Sequence, residues 1–417
     1  MTAAPSSTGV VGKAPAGPKA DTAPRKVNFD LKQSGIYIAF AITILVFTVL
    51  TEGVLLSPQN LSNIIVQQSY ILVLAIGMVL IIIAGHIDLS VGSVVAAAGA
   101  FAAVMMVNWD LPWPVAVIAT LVFGAIIGAW QGYWVAYFGI PAFIVTLAGM
   151  LLFRAVTYWI LGNQGIGPFP DEIRTLANGF IPGFLGNIGL GETLGGADLF
   201  SVIVGLLVVA GMTFAQYRSR AARIRYSQAV DPTWLFLAKV IVPAVIVMFL
   251  VVQLARFRNV PWVLVLLAVL VVGYTLVTDK AVFGRQIYAV GGNLQAATLS
   301  GVKVKSVVFW LFVNMGVLSA LAGLIFAGRL NLAGPTAGNS FELDAIAAAF
   351  IGGAAVQGGV GRVVGAITGG LIMAVINNGM GLMGATKPQQ VMLVKGLVLL
   401  GAVAFDVWSK RRAAGAK

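Results

Sequence analysis

One histidine, no cysteine and fourteen carboxylates are the side chains that this 417-residue chain offers for metal binding. Without cysteine there is no disulfide, thiolate metal site or cysteine nucleophile. His86 alone cannot build a multi-histidine metal site. No catalytic residue, metal ligand or cofactor is therefore assigned. The chemistry on offer is that of polar groups in apolar surroundings. The clearest case is Gly85-His86-Ile87-Asp88-Leu89-Ser90-Val91-Gly92-Ser93, which joins two apolar runs with almost no connecting residues. A charge there is expensive unless it meets water, a partner or a free helix end. Two readings are open and compatible. In one, Asp88 is the N-cap of a helix over 89–107, with Gly85 and Gly92 permitting a tight bend and close packing. In the other, the break lines a permeation path, and His86, Asp88 and Ser90 offer contacts to a solute. Irregular backbone is tolerated in a bilayer where it lines a cavity. Gln67, Gln68, Asn314, Asn377 and Asn378 also fall inside apolar runs. They suit a polar solute path, and they equally suit hydrogen bonding between helices.

A second motif runs from Gly284 and Arg285 through Gly291, Gly292 and Asn293 to Ala296, Ala297 and Gly301. Asn293 suits the cap of a short helix and Gly301 its end. Small residues at 296 and 297 give that helix a thin waist, able to seat in a groove of another protein. No G-x-x-x-x-G-K-[ST] phosphate loop occurs anywhere in the chain. A third motif spans Phe341-Glu342-Leu343-Asp344, Ile351-Gly352-Gly353 and Gly358-Gly359-Val360-Gly361-Arg362. Asn339 and Glu342 have capping-box spacing, and the glycines let backbones touch.

The elements that must position these groups follow from composition. The chain is 59% hydrophobic and 10% charged, against about 25% charged residues in soluble domains. An all-α polytopic membrane protein is expected, with its outer faces in the lipid bilayer. Windows of about 20 apolar residues predict twelve spans near 36–56, 64–84, 89–107, 113–138, 142–161, 198–215, 235–254, 261–278, 307–327, 343–358, 360–378 and 391–408. Residues 1–35 read as a disordered cytoplasmic tail, 36–408 as the membrane domain and 409–417 as a second cytoplasmic tail. The first span reads as uncleaved, since no small-residue cleavage site follows it closely. Of 26 Lys and Arg, 19 lie in the tails, at 216–239, at 279–306 and at Arg362. Basic residues stay on the cytoplasmic side, so both termini are expected inside a multi-pass plasma-membrane protein. The Arg256/Arg258 pair violates that rule locally. Nucleic-acid binding is excluded, because no basic domain lies outside the membrane. The acidic 162–197 loop is expected outside, with a short helix starting at Pro170-Asp171-Glu172 and stopping at Gly179. A faint echo at offsets near 250 pairs Asp88 with Asp344, and the turn at 139–141 with that at 384–388. Repeats of this kind are common in transporters.

The segments GHIDLSVGS (85–93), GIPAFIVTLAGMLLFRAV (139–156), GRQIYAVGGNLQAATLSGV (284–302) and FELDAIAAAFIGGAAVQGGVG (341–361) together resemble the permease subunits of bacterial ABC sugar importers, the ribose and xylose permease family. The match runs in order from about 36 to 408. The extra pair of spans near 235–278 is similar to the xylose-type and multiple-sugar-type permeases. His86 departs from the glycine frequent in the wider family. The resemblance implies a pore of two permease copies, a cytoplasmic ATPase subunit that hydrolyses ATP, and an extracytoplasmic sugar-binding protein. Residues 284–301 would then be the coupling element docked on the ATPase, and the 162–197 loop would help to receive the binding protein. A monosaccharide, xylose first, would be carried inward by alternating access. The alternative is a secondary sugar transporter driven by an ion gradient. It needs an intramembrane relay, for which only Asp88, His86, Arg154 and Lys395 are available.

Overall fold

The structure is a computed structural model and describes residues 31–183, 197–226, 228, 230–384 and 388–415. Most of the expected N-terminal tail, residues 184–196 of the acidic loop, residues 385–387 of the turn before Pro388, and the last two residues of the C-terminal tail lie outside the described residues.

Fifteen α-helices are present among the described residues. They are α1 (Leu31–Leu50), α2 (Pro58–Ile83), α3 (Val91–Ala103), α4 (Trp113–Ala136), α5 (Ala142–Leu161), α6 (Asp171–Asn178), α7 (Leu199–Arg225), α8 (Thr233–Phe257), α9 (Trp262–Lys280), α10 (Val282–Gly292), α11 (Leu294–Leu299), α12 (Val304–Leu330), α13 (Phe341–Ile351), α14 (Val363–Leu382) and α15 (Pro388–Gly415). A π-helical turn, Val104–Asn108, continues α3. Nine of these helices are long and apolar enough to cross a membrane, and Gly35–Leu50 and Gln389–Gly401 are shorter apolar stretches. The expected span at 343–358 is corrected: α13 has 11 residues and stops at Gly352, too short to cross a bilayer alone. The expected acidic helix is α6, opened by Pro170 and closed at Gly179. Arg256 lies in the last turn of α8, and Arg258 begins the short turn before α9.

Two units are distinguished. One contains Val204–Phe249, most of α7, the connecting segment and most of α8; the other holds Asp30–Ile203 and Leu250–Lys417. In the hairpin, Gln216 donates to the Lys239 carbonyl at 3.1 Å and the Arg220 guanidinium stacks on Phe236. The second unit is built round α2. Every residue from Ser69 to Ile83 of that helix is buried, as expected of a helix that is apolar on all sides.

The second unit contains an inverted repeat. Helices α2, α3, α4 and α5 begin at residues 58, 91, 113 and 142, and α12, α13, α14 and α15 at 304, 341, 363 and 388, a spacing of 246–250. The backbone turns before α5 and α15 match as well, with Gly139 at φ 73° and Gly384 at φ 74°. Along α2 from Gln67 to Gly77, the facing residue on α12 moves back from Arg329 to Met315. The two opening helices are therefore antiparallel, the arrangement of inverted transporter repeats. The Asp88–Asp344 echo does not survive this alignment. Asp88 lies three residues before α3, whereas Asp344 is the fourth residue of α13.

Close packing explains much of the glycine content. A Cβ at Gly124 would lie 2.4 Å from the Gly316 carbonyl oxygen, one at Gly128 2.2 Å from that of Phe312, and one at Gly132 2.8 Å from that of Phe309. This i, i+4, i+8 ladder lets α4 and α12 touch backbone to backbone.

Candidate functional site

The segment between α2 and α3 is held by its own polar groups. Gly85, at φ 85°, turns the chain at the end of α2. The Asp88 carboxylate then accepts from the Ser90 amide at 2.8 Å and from the Ser90 hydroxyl at 2.6 Å. Gln131 of α4 donates to that hydroxyl at 2.7 Å. Asp88 is 3% exposed, Ser90 0% and Gln131 2%, so the three form one dry chain of hydrogen bonds. The capping expectation needs correction. The cap position of α3 is Ser90, no side chain caps it, and Asp88 instead closes the turn one step earlier.

Helix α3 does not start at the rim of the bundle. The Val95 carbonyl oxygen lies 2.6 Å from where a Cβ of Gly323 would stand, and Ala327 Cβ lies 3.4 Å from that of Gly99. Helices α3 and α12 thus run parallel, and Val91 is level with about Ser319, near the middle of α12. Helix α13 starts at the same level and runs the other way. A Cβ on Gly92 would lie 2.1 Å from the Gly338 carbonyl oxygen and 2.5 Å from Glu342 Oε2; one on Gly338 would lie 1.9 Å from the Gly92 oxygen. Helix α3, which its π-helical turn extends to 18 residues, and the 11-residue α13 therefore meet head to head, N-terminus to N-terminus. Carboxylates complement the positive ends of helices, and Asp88, Glu342 and Asp344 stand at or beside these two.

The approach to α13 is equally constrained. Arg154 of α5 donates to the carbonyls of Pro335, at 3.1 Å, and of Ala337. Its charge interacts with that of Glu342. Asp344, 4% exposed, is paired with Lys395 of α15 at 2.9 Å. The expected Asn339–Glu342 capping box is corrected: the cap position is Ser340, in the left-handed region at φ 64°, and no side chain caps the helix.

The remaining polar residues singled out above are dispersed. The Gln67 carbonyl accepts from Arg329 at 3.4 Å. Gln68 Oε1 is buried without a hydrogen-bond partner among the described residues, as are Asn314 Nδ2 and Asn377 Oδ1. Asn314 Oδ1 accepts from the Tyr274 hydroxyl. Asn378 and Asn60 exchange two hydrogen bonds of 2.9 Å. His86 lines a separate cleft of about 410 Å³ with Gly291, Asn293, Lys305 and Gln357.

That cleft borders the second motif. Asn293 accepts from the Ala296 amide at 2.9 Å and so caps α11, and Gly301, at φ 82°, turns the chain after it. Leu294 and Leu299 are exposed on α11, Leu299 at 89%. The expectation of a thin outer waist is corrected at one position: Ala297 is 4% exposed and packs into the protein's own core, leaving Ala296 as the exposed small residue. Gly284 packs against Val277 and Thr278 of α9, and Arg285 donates to the Lys280 carbonyl at 2.9 Å.

The partners of three groups escaped sequence reading. Gln131 was not among the polar residues singled out. Glu342 looked like a cap. Lys395 had no visible partner, because Asp344 is 51 residues away.

Nine apolar helices of spanning length, with charges kept inside the bundle and answered by hydrogen bonds, helix ends or opposite charges, mark a polytopic membrane protein. The family model described as "Branched-chain amino acid transport system / permease component" matches residues 60–403, and the chain belongs to that family. It is 39% identical to the xylose transport system permease protein of Haemophilus influenzae over 375 residues, 90% of this chain and 96% of that one. It is also 39% identical to the Escherichia coli xylose permease, over 90% of this chain and 92% of the relative. The ribose import permease protein of Escherichia coli is 34% identical over 84% of this chain and 85% of its own length. The resemblance to the ribose and xylose permeases is thus borne out. No solved structure matches the chain.

Proposed function

We propose that this chain is the membrane-spanning subunit of an ATP-driven ABC importer that moves a monosaccharide, xylose first, into the cytoplasm. The carrying observation is α11, a capped helix that exposes Leu294 and Leu299. The chain has no phosphate loop of its own, so the reading assigns ATP hydrolysis to a separate cytoplasmic subunit that grips this helix. The 39% identity to xylose permeases supports the sugar. In this reading two copies of the chain form the pore, a sugar-binding protein delivers solute from outside, and both termini lie inside.

The head-to-head helices α3 and α13 give the proposed path its centre. A bundle with two packings can be biased by a partner that binds one of them better. His86, Asp88 and Ser90, with Gln67, Gln68, Asn314 and Asn377, remain the proposed path residues. The test is reconstitution in vesicles with the ATPase and sugar-binding protein of a xylose importer. Xylose uptake should require ATP and survive collapse of the ion gradients. Uptake that follows an ion gradient without the ATPase would overturn the reading in favour of a secondary transporter. Sidedness is tested by single cysteines in this Cys-free chain: position 175 should react with an impermeant reagent from outside, and position 285 should not.

A further inference from the structure

Three stretches of backbone meet at the end of α2. The Gly359 amide donates to the Ile83 carbonyl at 2.8 Å. A Cβ added to Gly291 would lie 1.6 Å from that same Ile83 oxygen and 2.8 Å from the Gly359 nitrogen. Gly358 stands 3.1 Å, measured from its would-be Cβ, from both Gly85 and the Gly291 oxygen. The Tyr288 hydroxyl of α10 donates to the Gly361 carbonyl at 2.8 Å. Burial, with the nearby Asp279 charge, pushes the Tyr288 phenol up, so it stays a donor at neutral pH. Gly291 is helical and is not among the positive-φ glycines. Backbone conformation does not demand glycine there; the contact does.

We infer that Gly291, supported by Tyr288, is the positioning residue of a transmission joint that ties the α10–α11 hairpin at once to the segment entering α3 and to the segment leaving α13. The inference rests on the reading of α11 as the ATPase-facing helix. The joint has a specific topology. Residues 84–90 lead from Ile83 into α3, and residues 352–362 lead from α13 to α14. A displacement of α11 passes through α10 to both segments together. The two helices that meet head to head at Gly92 and Gly338 are then driven from one point, each through its own connection. Thin backbone contact is what makes the joint stiff, because no side chain lies between the three strands to give way.

The test is Gly291→Ala, reconstituted with ATPase and binding protein. Uptake should fall about tenfold or more, because overpacking against backbone forces the strands apart. ATPase co-purification should stay within about twofold, since the α11 surface is unaltered. Gly273→Ala in α9, where a Cβ meets nothing within 4 Å, should keep wild-type uptake. Wild-type uptake by Gly291→Ala overturns the joint. Loss of ATPase co-purification along with uptake also overturns it, and assigns Gly291 to docking or folding. The coupling reading fails separately, if Leu299→Asp leaves ATPase co-purification intact. A second arm avoids the steric question. A Cβ on Gly361 lies 2.7 Å from Ile83 Cγ1, so Ile83→Cys with Gly361→Cys falls near the disulfide range of about 3.5–4.5 Å between Cβ atoms. A joint that moves as one unit should transport equally before and after oxidation. Loss on oxidation that a reductant reverses would mean that the strands must part, and the joint is not a transmission.

Discussion

Asp88 offers a sharp test of what the first motif does. Its carboxylate accepts two hydrogen bonds from Ser90, and Ser90 in turn accepts from Gln131. Asp88→Ala removes the acceptor and strands a buried amide and a buried hydroxyl. Each orphan costs about 1–3 kcal/mol, so the sum is about 2–4 kcal/mol once a little relaxation is allowed. Asp88→Asn keeps an acceptor oxygen in the same position. It loses the charge-assisted part of two bonds but also removes the cost of burying a charge. These effects oppose, and the net is within about 1 kcal/mol. The assay is unfolding in detergent beside sugar uptake in vesicles, at matched membrane levels. Ala should lose stability and uptake together, while Asn should retain most of both. Asn as damaging as Ala in uptake, with wild-type stability, would refute the argument. The charge itself, and not the hydrogen-bond chain, would then be the working part.

Lys395→Met should destabilise by about 3–5 kcal/mol, because Asp344 stays buried without its opposite charge; adding Asp344→Asn should recover much of the loss in the same unfolding assay. Gly92→Ala pushes a methyl group into the Gly338 backbone and should cost about 1–3 kcal/mol or more, read as lower thermal stability in detergent. Ala296→Trp alters the exposed face of α11 and should lower ATPase co-purification about tenfold while the permease still inserts; unchanged co-purification would count against the docking face.

Much of the fold was legible because membranes simplify the problem. Apolar runs of sufficient length have one stable outcome, and the spans α2 to α5, α9, α12 and α14 fall where windowed hydropathy put them. The same logic misjudged α13. Its apolar run continues past Gly352, but hydropathy cannot register that the chain there turns back on Gly365. The caps were half legible. Asn293 precedes α11 in plain view, whereas Asp88 and Ser90 compete for one helix start, and only geometry decides between them. The repeat was legible as a spacing near 250, yet its strongest local match was a misalignment of two aspartates. Long-range pairs such as Gln131 with Ser90 and Lys395 with Asp344 leave no local trace, since nothing in a run of apolar residues says which helix lies opposite.

The glycine ladder between α4 and α12 has a consequence for how this protein can change over generations. A tight seam of larger side chains can drift, because growth on one side is answered by shrinkage on the other. At Gly128 the three nearest atoms are all main chain, and at Gly124 the nearest is the Gly316 carbonyl oxygen, which no substitution makes smaller. Ala320, whose Cβ would lie 2.5 Å from one on Gly124, can step down to glycine, but the Gly316 carbonyl oxygen at 2.4 Å stays where it is. Single-nucleotide drift at these positions leads only to larger residues, and no second-site change across the seam makes room for them. Such positions are locked individually and not as co-varying pairs. A saturation library selected for uptake should show them as isolated intolerant sites, without the paired rescues that mark ordinary side-chain contacts.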